Sequence, residues 1–136
     1  MSINEIEEDL IENFEILEDW DDKYSLLIDL GETVVGIEED QRDDDLLVKG
    51  CQSRVWVLAE MEGNVVKFRI ASDSAIPLGF AGILTKLYSG QKIDEIINHE
   101  PSVFQRSELI NFLSPTRQMG LESMILQFKK LANSLL

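Results

Sequence analysis

Among the residue types that carry nucleophilic or metal chemistry, the chain offers one cysteine, Cys51, and one histidine, His99. A cysteine thiolate attacks a polarised sulfur or carbon with no partner residue, provided its proton is lost first. Cys51 stands in Lys49-Gly50-Cys51-Gln52-Ser53-Arg54-Val55-Trp56. Gly50 lets the backbone turn tightly and leaves one flank of the thiol open. Lys49 and Arg54 are nearby cations, which favour the ionised sulfur. The strand-like run that starts at Val55 puts Cys51 on a connecting loop, where reactive groups are commonly displayed. The plainer alternative is a small buried hydrophobe that reacts with nothing. A Cys51–His99 hydrolase pair is disfavoured. His99 precedes Glu100-Pro101 at a helix end, where a histidine serves the last carbonyls, and no oxyanion device accompanies it.

Other chemistries fall away on residue count and spacing. A zinc site wants several Cys or His at short intervals. The acidic run Gly36–Asp45 lacks the alternating ligands and glycine of a calcium loop. Leu78–Gly82 and Lys86–Gly90 match no phosphate-cradling fingerprint. Carboxylate pairs such as Glu38/Glu39 lie in a solvated run, where nothing separates their acidities.

The elements that must position Cys51 follow from periodicity. Ser2 with Glu5 has the form of a capping box, and Ile3, Ile6, Leu10, Phe14 and Leu17 make one helical stripe. Asp19 caps a second helix carrying Trp20, Tyr24, Leu27 and Leu30, with Gly31 placed to end it. Residues 36–45 read as an exposed loop. Val55–Glu60 and Val65–Ala71 alternate as strands around a Gly63-Asn64 turn, and Leu46–Lys49 supplies one further strand. Ser72 or Ser74 caps a central helix with Pro77 in its first turn. Gly79 and Gly82 inside that helix point to close helix packing rather than to a ligand. Short helices follow at Asp94–Asn98 and Gln105–Leu113, and Ser114-Pro115 opens a last one through Leu135. The predicted fold is α+β, a small antiparallel sheet of about three strands flanked by helices, in one domain over residues 1–136.

The chain of 136 residues is 44% hydrophobic and 28% charged, an ordinary globular balance with a net charge of −14. Residues 1–45 hold 18 acidic side chains against Lys23 and Arg42. Such a face repels nucleic acid and anionic membranes and suits a protein partner with a basic patch, or simply keeps the chain solvated. A lone cysteine, no signal-peptide pattern and no apolar run long enough to span a bilayer point to the cytoplasm.

With the elements in place, the motifs resemble a known family. Gly50-Cys51-Gln52-Ser53-x-Val55-Trp56 is similar to the signature of the SufE family, sulfur acceptors of iron–sulfur cluster assembly. Ser72-Asp73-Ser74-Ala75-Ile76 with Gly79, Leu87-Tyr88-Ser89-Gly90 and Leu113-Ser114-Pro115-Thr116-Arg117-x-x-Gly120-Leu121 resemble further family blocks, in order and spacing. Asn13-Phe14, Trp20, Lys23-Tyr24 and Leu30-Gly31 also fit. Val34-Val35-Gly36 and Pro77 depart from the usual pattern.

The resemblance implies a fold similar to the IscU scaffolds, and a sulfur carrier. A pyridoxal-phosphate cysteine desulfurase of the SufS or CsdA type would form a persulfide. Cys51 would take its outer sulfur, stimulate that enzyme and pass the sulfur to an assembly scaffold. The cofactor belongs to the partner, so this chain need bind none, and no metal. Gly50, Gln52, Ser53, Arg54, Trp56, Asp73 and Arg117 are implied as loop or partner-contact residues, with Val55 and Trp56 sheltering the sulfur. Asp73 is otherwise a helix cap, Trp56 sheet packing and Arg117 one half of a surface ion pair. Two alternatives stay open: a CsdE-type relay feeding another pathway such as tRNA modification, and a binding module in which Cys51 is inert.

Overall fold

The capping box at Ser2 closes in the structure, a computed structural model describing residues 1–136. The Glu5 N–H donates to Ser2 Oγ at 3.2 Å, and the Ser2 N–H donates to Glu5 Oε1 at 3.1 Å. Helix α1 (Ile3–Glu15) buries Ile3, Leu10, Ile11 and Phe14; Leu17, expected on the same stripe, falls beyond its end. Asp19 caps α2 (Trp20–Glu32), accepting the Asp21 N–H at 2.9 Å.

Gly31 does not end α2, as its type suggested; the helix runs on to a cap at Thr33. Gly31 is instead buried against α3 (Ala75–Tyr88), where an added Cβ would come within 2.8 Å of Gly79 N. The partner glycines of α3 are as tight. A Cβ at Gly79 would lie 2.6 Å from the Leu27 carbonyl oxygen, and one at Gly82 would lie 2.5 Å from that of Leu30. Gly79 and Gly82 therefore serve the helix packing expected of them. Helix propensity alone makes Gly82→Ala stabilising by about 1 kcal/mol. The backbone overlap acts the other way, and overpacking of this kind costs about 1–3 kcal/mol. The expected result is a less stable protein, read as a lower urea midpoint with an unchanged m-value.

Strands β1 (Val55–Glu62) and β2 (Val65–Ser72) pair antiparallel, with Val55 opposite Ser72 and Glu62 opposite Val65. Gly63 takes a positive φ of 65° at the first turn position, as a type II′ hairpin turn requires. The sheet has two strands, not the three expected. Residues Asp44–Leu46 are drawn into a 3₁₀ turn capped by Asp43, so the following stretch makes only a bridge between Leu47 and Trp56. The free edge of β2 is occupied: Ile70, Phe68 and Val66 N–H groups donate to Val35 O, Ser89 Oγ and Gln91 O at 3.2, 3.0 and 2.9 Å. The acidic stretch 36–45 is likewise less open than its composition suggests. Ile37 is buried beneath it, and Arg42 Nε turns inward to donate to Ile37 O at 3.0 Å.

The C-terminal half supplies α4 (Ile93–Ile97), α5 (Val103–Arg106) and α6 (Pro115–Ser134). The single helix expected over 105–113 is broken. Glu108 adopts a left-handed φ of 65°, which separates α5 from a 3₁₀ turn at Leu109–Phe112. Ser114 caps α6, accepting the Arg117 N–H at 3.3 Å. On α6, Phe128 packs against Phe68 of β2 and Tyr88 of α3, with ring centroids 4.8 and 6.3 Å apart. One apolar core thus joins α1, the sheet, α3 and α6 in an α+β architecture. No helix is long and apolar enough to cross a membrane.

Candidate functional site

The loop between the Leu47 bridge and β1 carries Cys51 across the first turns of α6. Gly50 makes the bend with a φ of 86°, in the left-handed region where a side chain is strained. Cys51 is half-buried, and its thiol donates to the Gly120 carbonyl oxygen of α6 at an S···O distance of 3.4 Å. Beside the sulfur lies a small cleft with about 40 Å³ of free space. Ile76, Pro77 and Phe80 of α3 and Leu113, Leu121 and Met124 form its apolar walls, while Gln52, Ser53 and Arg117 complete the lining.

The far end of the loop is clamped by the junction of β2 and α3. Arg54 N–H donates to Asp73 Oδ1 at 3.1 Å, and the Arg54 carbonyl accepts the Ser72 hydroxyl at 2.6 Å. Asp73 thus holds the cysteine loop; the cap residue of α3 is Ser74, whose hydroxyl donates to the same carboxylate at 3.2 Å. The loop is seated at one end on α6 and tied at the other to the sheet.

Burial pushes the Cys51 thiol above its usual range, and no cation offsets that effect. The thiolate expected from Lys49 and Arg54 is therefore absent at rest, because both side chains are exposed to water. At neutral pH the docked sulfur is a protonated, weak nucleophile. Alkylation of Cys51 by iodoacetamide is expected to be slower than that of free cysteine at pH 7. Its rate should climb to a midpoint displaced to higher pH, returning to the ordinary value in denaturant. An undisplaced midpoint in the folded protein would contradict the burial.

Several residues implied as site members are not brought to the sulfur. Trp56 points to the opposite face of the sheet, buried with Ile37 and Ala71, and Arg42 stacks its guanidinium 5.5 Å from the ring centre. Neither Trp56 nor Val55 lines the cleft; α3 and α6 supply the shelter instead. Arg117 lies at the cleft, exposed and without the expected ion-pair partner. His99 is engaged in a separate network, with Nδ1 3.0 Å from the Tyr88 hydroxyl and Nε2 3.0 Å from Glu7 Oε1. Sequence reading missed the contact between Gly120 and the thiol, and the apolar wall. The available signal was a glycine just ahead of the apolar Leu121 and Met124 in a helix that otherwise favours larger residues.

This geometry can be set beside known proteins. The family model described as "SufE: Fe-S metabolism associated domain" matches residues 8–132. The chain belongs to the SufE family. An uncharacterised SufE-like protein of Rhizobium etli is 31% identical over 126 residues, covering 89% of this chain and 85% of the relative. A second, from Rhizobium meliloti, is 32% identical over 125 residues, covering 88% and 89%. The solution structure of a hypothetical protein from Thermus thermophilus superposes with a TM-score of 0.79 at 21% identity, covering 95% of this chain and 94% of that one. At that identity the likeness speaks for the fold alone. SufE membership places this chain in iron–sulfur metabolism and gives the half-buried thiol a context of sulfur transfer.

Proposed function

We propose that this SufE-family chain is a sulfur carrier that receives persulfide sulfur on Cys51 from a pyridoxal-phosphate cysteine desulfurase. It hands that sulfur to an iron–sulfur assembly scaffold. The observation that carries the reading is one cysteine, seated half-buried at an apolar cleft without an acid–base partner. Transfer between sulfurs needs nothing more. The ionised Cys51 attacks the outer sulfur of the donor's persulfide, a new S–S bond forms, and the donor's S–S bond breaks. The donor cysteine leaves as a thiolate with the bonding pair, so no electrons are gained or lost overall. Because the docked thiol is protonated, the loop must first lift Cys51 into water or onto the partner, where the proton is released. Removing the donor's persulfide also clears its cysteine for the next turnover, which would stimulate the desulfurase. The cofactor in this reading is the partner's.

The test is intact-protein mass spectrometry after incubation with a cysteine desulfurase, its cofactor and free cysteine. The expected product is this chain carrying one additional sulfur atom, lost again on treatment with a thiol reductant. Absence of that product across several desulfurases, with the chain folded, would favour a binding role with an inert Cys51.

A further inference from the structure

The cysteine loop lies on α6 at van der Waals distance, and the polarity of the contact is one-sided. A Cβ on Gly120 would lie 3.4 Å from Cys51 Sγ and 3.5 Å from the Gly50 carbonyl oxygen. One turn further along, Ser123 faces Gly50, where a Cβ would come 3.1 Å from the serine hydroxyl. Two small residues thus let the loop backbone lie directly on the helix. The sulfur's one polar partner there is a carbonyl oxygen, which accepts hydrogen bonds and donates none. At the edge of the same cleft stands Arg117, exposed and without an ion-pair partner in a chain with 26 acidic residues.

We infer that Gly120 and Ser123 are positioning residues, forming a seat that holds the unloaded Cys51 thiol and releases the loop once the sulfur is loaded as a persulfide anion. This rests on the sulfur-carrier reading. The unloaded thiol has a proton to give the Gly120 carbonyl. A hydropersulfide is a stronger acid than its parent thiol and ionises at neutral pH. The outer sulfur then has no proton to donate, and its negative charge is set beside a carbonyl oxygen in a largely apolar cleft whose polar lining, Gln52, Ser53 and Arg117, makes no hydrogen bond to the sulfur. Burying such a charge without a donor is unfavourable. Bulk does not decide the matter: the roughly 40 Å³ beside the thiol exceeds the ~10–15 Å³ that one water needs. Outside the seat, water and the exposed Arg117 favour the anion. Loading therefore changes the loop's preferred position, presenting the charged carrier outward and drawing back the spent one.

The test is hydrogen exchange of the loop amides, Lys49–Ser53, in forms that separate charge from size. The persulfide is installed chemically. Cys51 is first converted to its mixed disulfide with thionitrobenzoate, then hydrosulfide attacks Cys51 Sγ and thionitrobenzoate leaves as its thiolate. No desulfurase is involved, so a failure of enzymatic loading and a failure of this inference are told apart. The persulfide and Cys51→Asp are expected to exchange about tenfold faster than the unloaded wild type, as a segment of low local stability does. Cys51→Ser keeps the donor and should stay protected, as should Cys51→Met, which has a longer chain but no charge. Gly120→Val, which fills the seat, should release the unloaded loop and speed its alkylation. Equal protection of the persulfide, Cys51→Asp and unloaded forms overturns the inference. So does release by Cys51→Met to the extent seen with Cys51→Asp, which would make size the cause.

Discussion

Replacing Cys51 by serine is expected to abolish sulfur acceptance completely while leaving the fold almost untouched. The hydroxyl keeps the donor that the Gly120 carbonyl accepts, and the site is only half-buried. The stability change should therefore stay within about 1 kcal/mol. Its chemistry, however, is gone. An alcohol at neutral pH supplies almost no anion, and oxygen does not form the S–S bond on which transfer depends. Intact mass after desulfurase treatment should show no added sulfur in the variant, alongside a thermal midpoint close to that of the wild type. A variant that gains sulfur would move the reaction away from Cys51, the one cysteine in the chain. A variant that unfolds would make the thiol a structural group.

The largest loss of stability is expected on the other side of the molecule, at Glu7. This carboxylate is buried, and its two oxygens take three donors: His99 Nε2–H at 3.0 Å, Ser102 N–H at 2.9 Å and Val103 N–H at 3.2 Å. A carboxylate has no proton to give, so Nε2 donates to it, while Nδ1 on the other edge of the ring meets the Tyr88 hydroxyl at 3.0 Å. Burial, reinforced by the charges of Glu7 and Glu100, pushes the Tyr88 hydroxyl far up, so it remains a donor at every working pH. Glu7→Ala strands all three donors, each costing about 1–3 kcal/mol when left unpaired in the interior. We expect at least ~3 kcal/mol of lost stability, or about 10 °C in thermal midpoint for a chain of this size. Glu7→Gln retains acceptor capacity and should lose markedly less. A loss below ~1 kcal/mol in the alanine variant would mean that water replaces the carboxylate.

These two residues show what sequence conveys and what it hides. Cys51 was legible because its neighbours form a local motif, and the helices were legible because caps and apolar spacing are local too. The Ser2–Glu5 capping box and the Ser114-Pro115 start of α6 both stand where periodicity placed them. Gly31 was misread because a glycine near a helix end looks like a terminator, whereas its use depends on a second helix arriving from far along the chain. The third strand failed for a comparable reason. Asp43 caps a 3₁₀ turn that consumes Leu46 before it can pair. Glu7 reads as one more acid on an exposed helix face. Only the return of His99 and the start of α5 to α1 make it a buried acceptor. Trp56 carries two readings, shelter for the sulfur from the family resemblance and plain sheet packing from its strand; strand alternation turns it from the face of Val55 and Val57 and packs it with Ile37 and Ala71.

The seat of the thiol also has a place in time. Cys51 and Gly120 are 69 positions apart, and the helix that carries Gly120 is the last element of the fold. During synthesis the cysteine leaves the ribosome well before its acceptor carbonyl exists, and chains emerge at about 5–20 residues per second. For those seconds the thiol has no helix to lie on and ionises like any free cysteine. A chain cut short before α6 would keep that open thiol permanently. The final helix is thus what turns an ordinary reactive cysteine into a guarded one, and the guard is set only once that helix has emerged and packed.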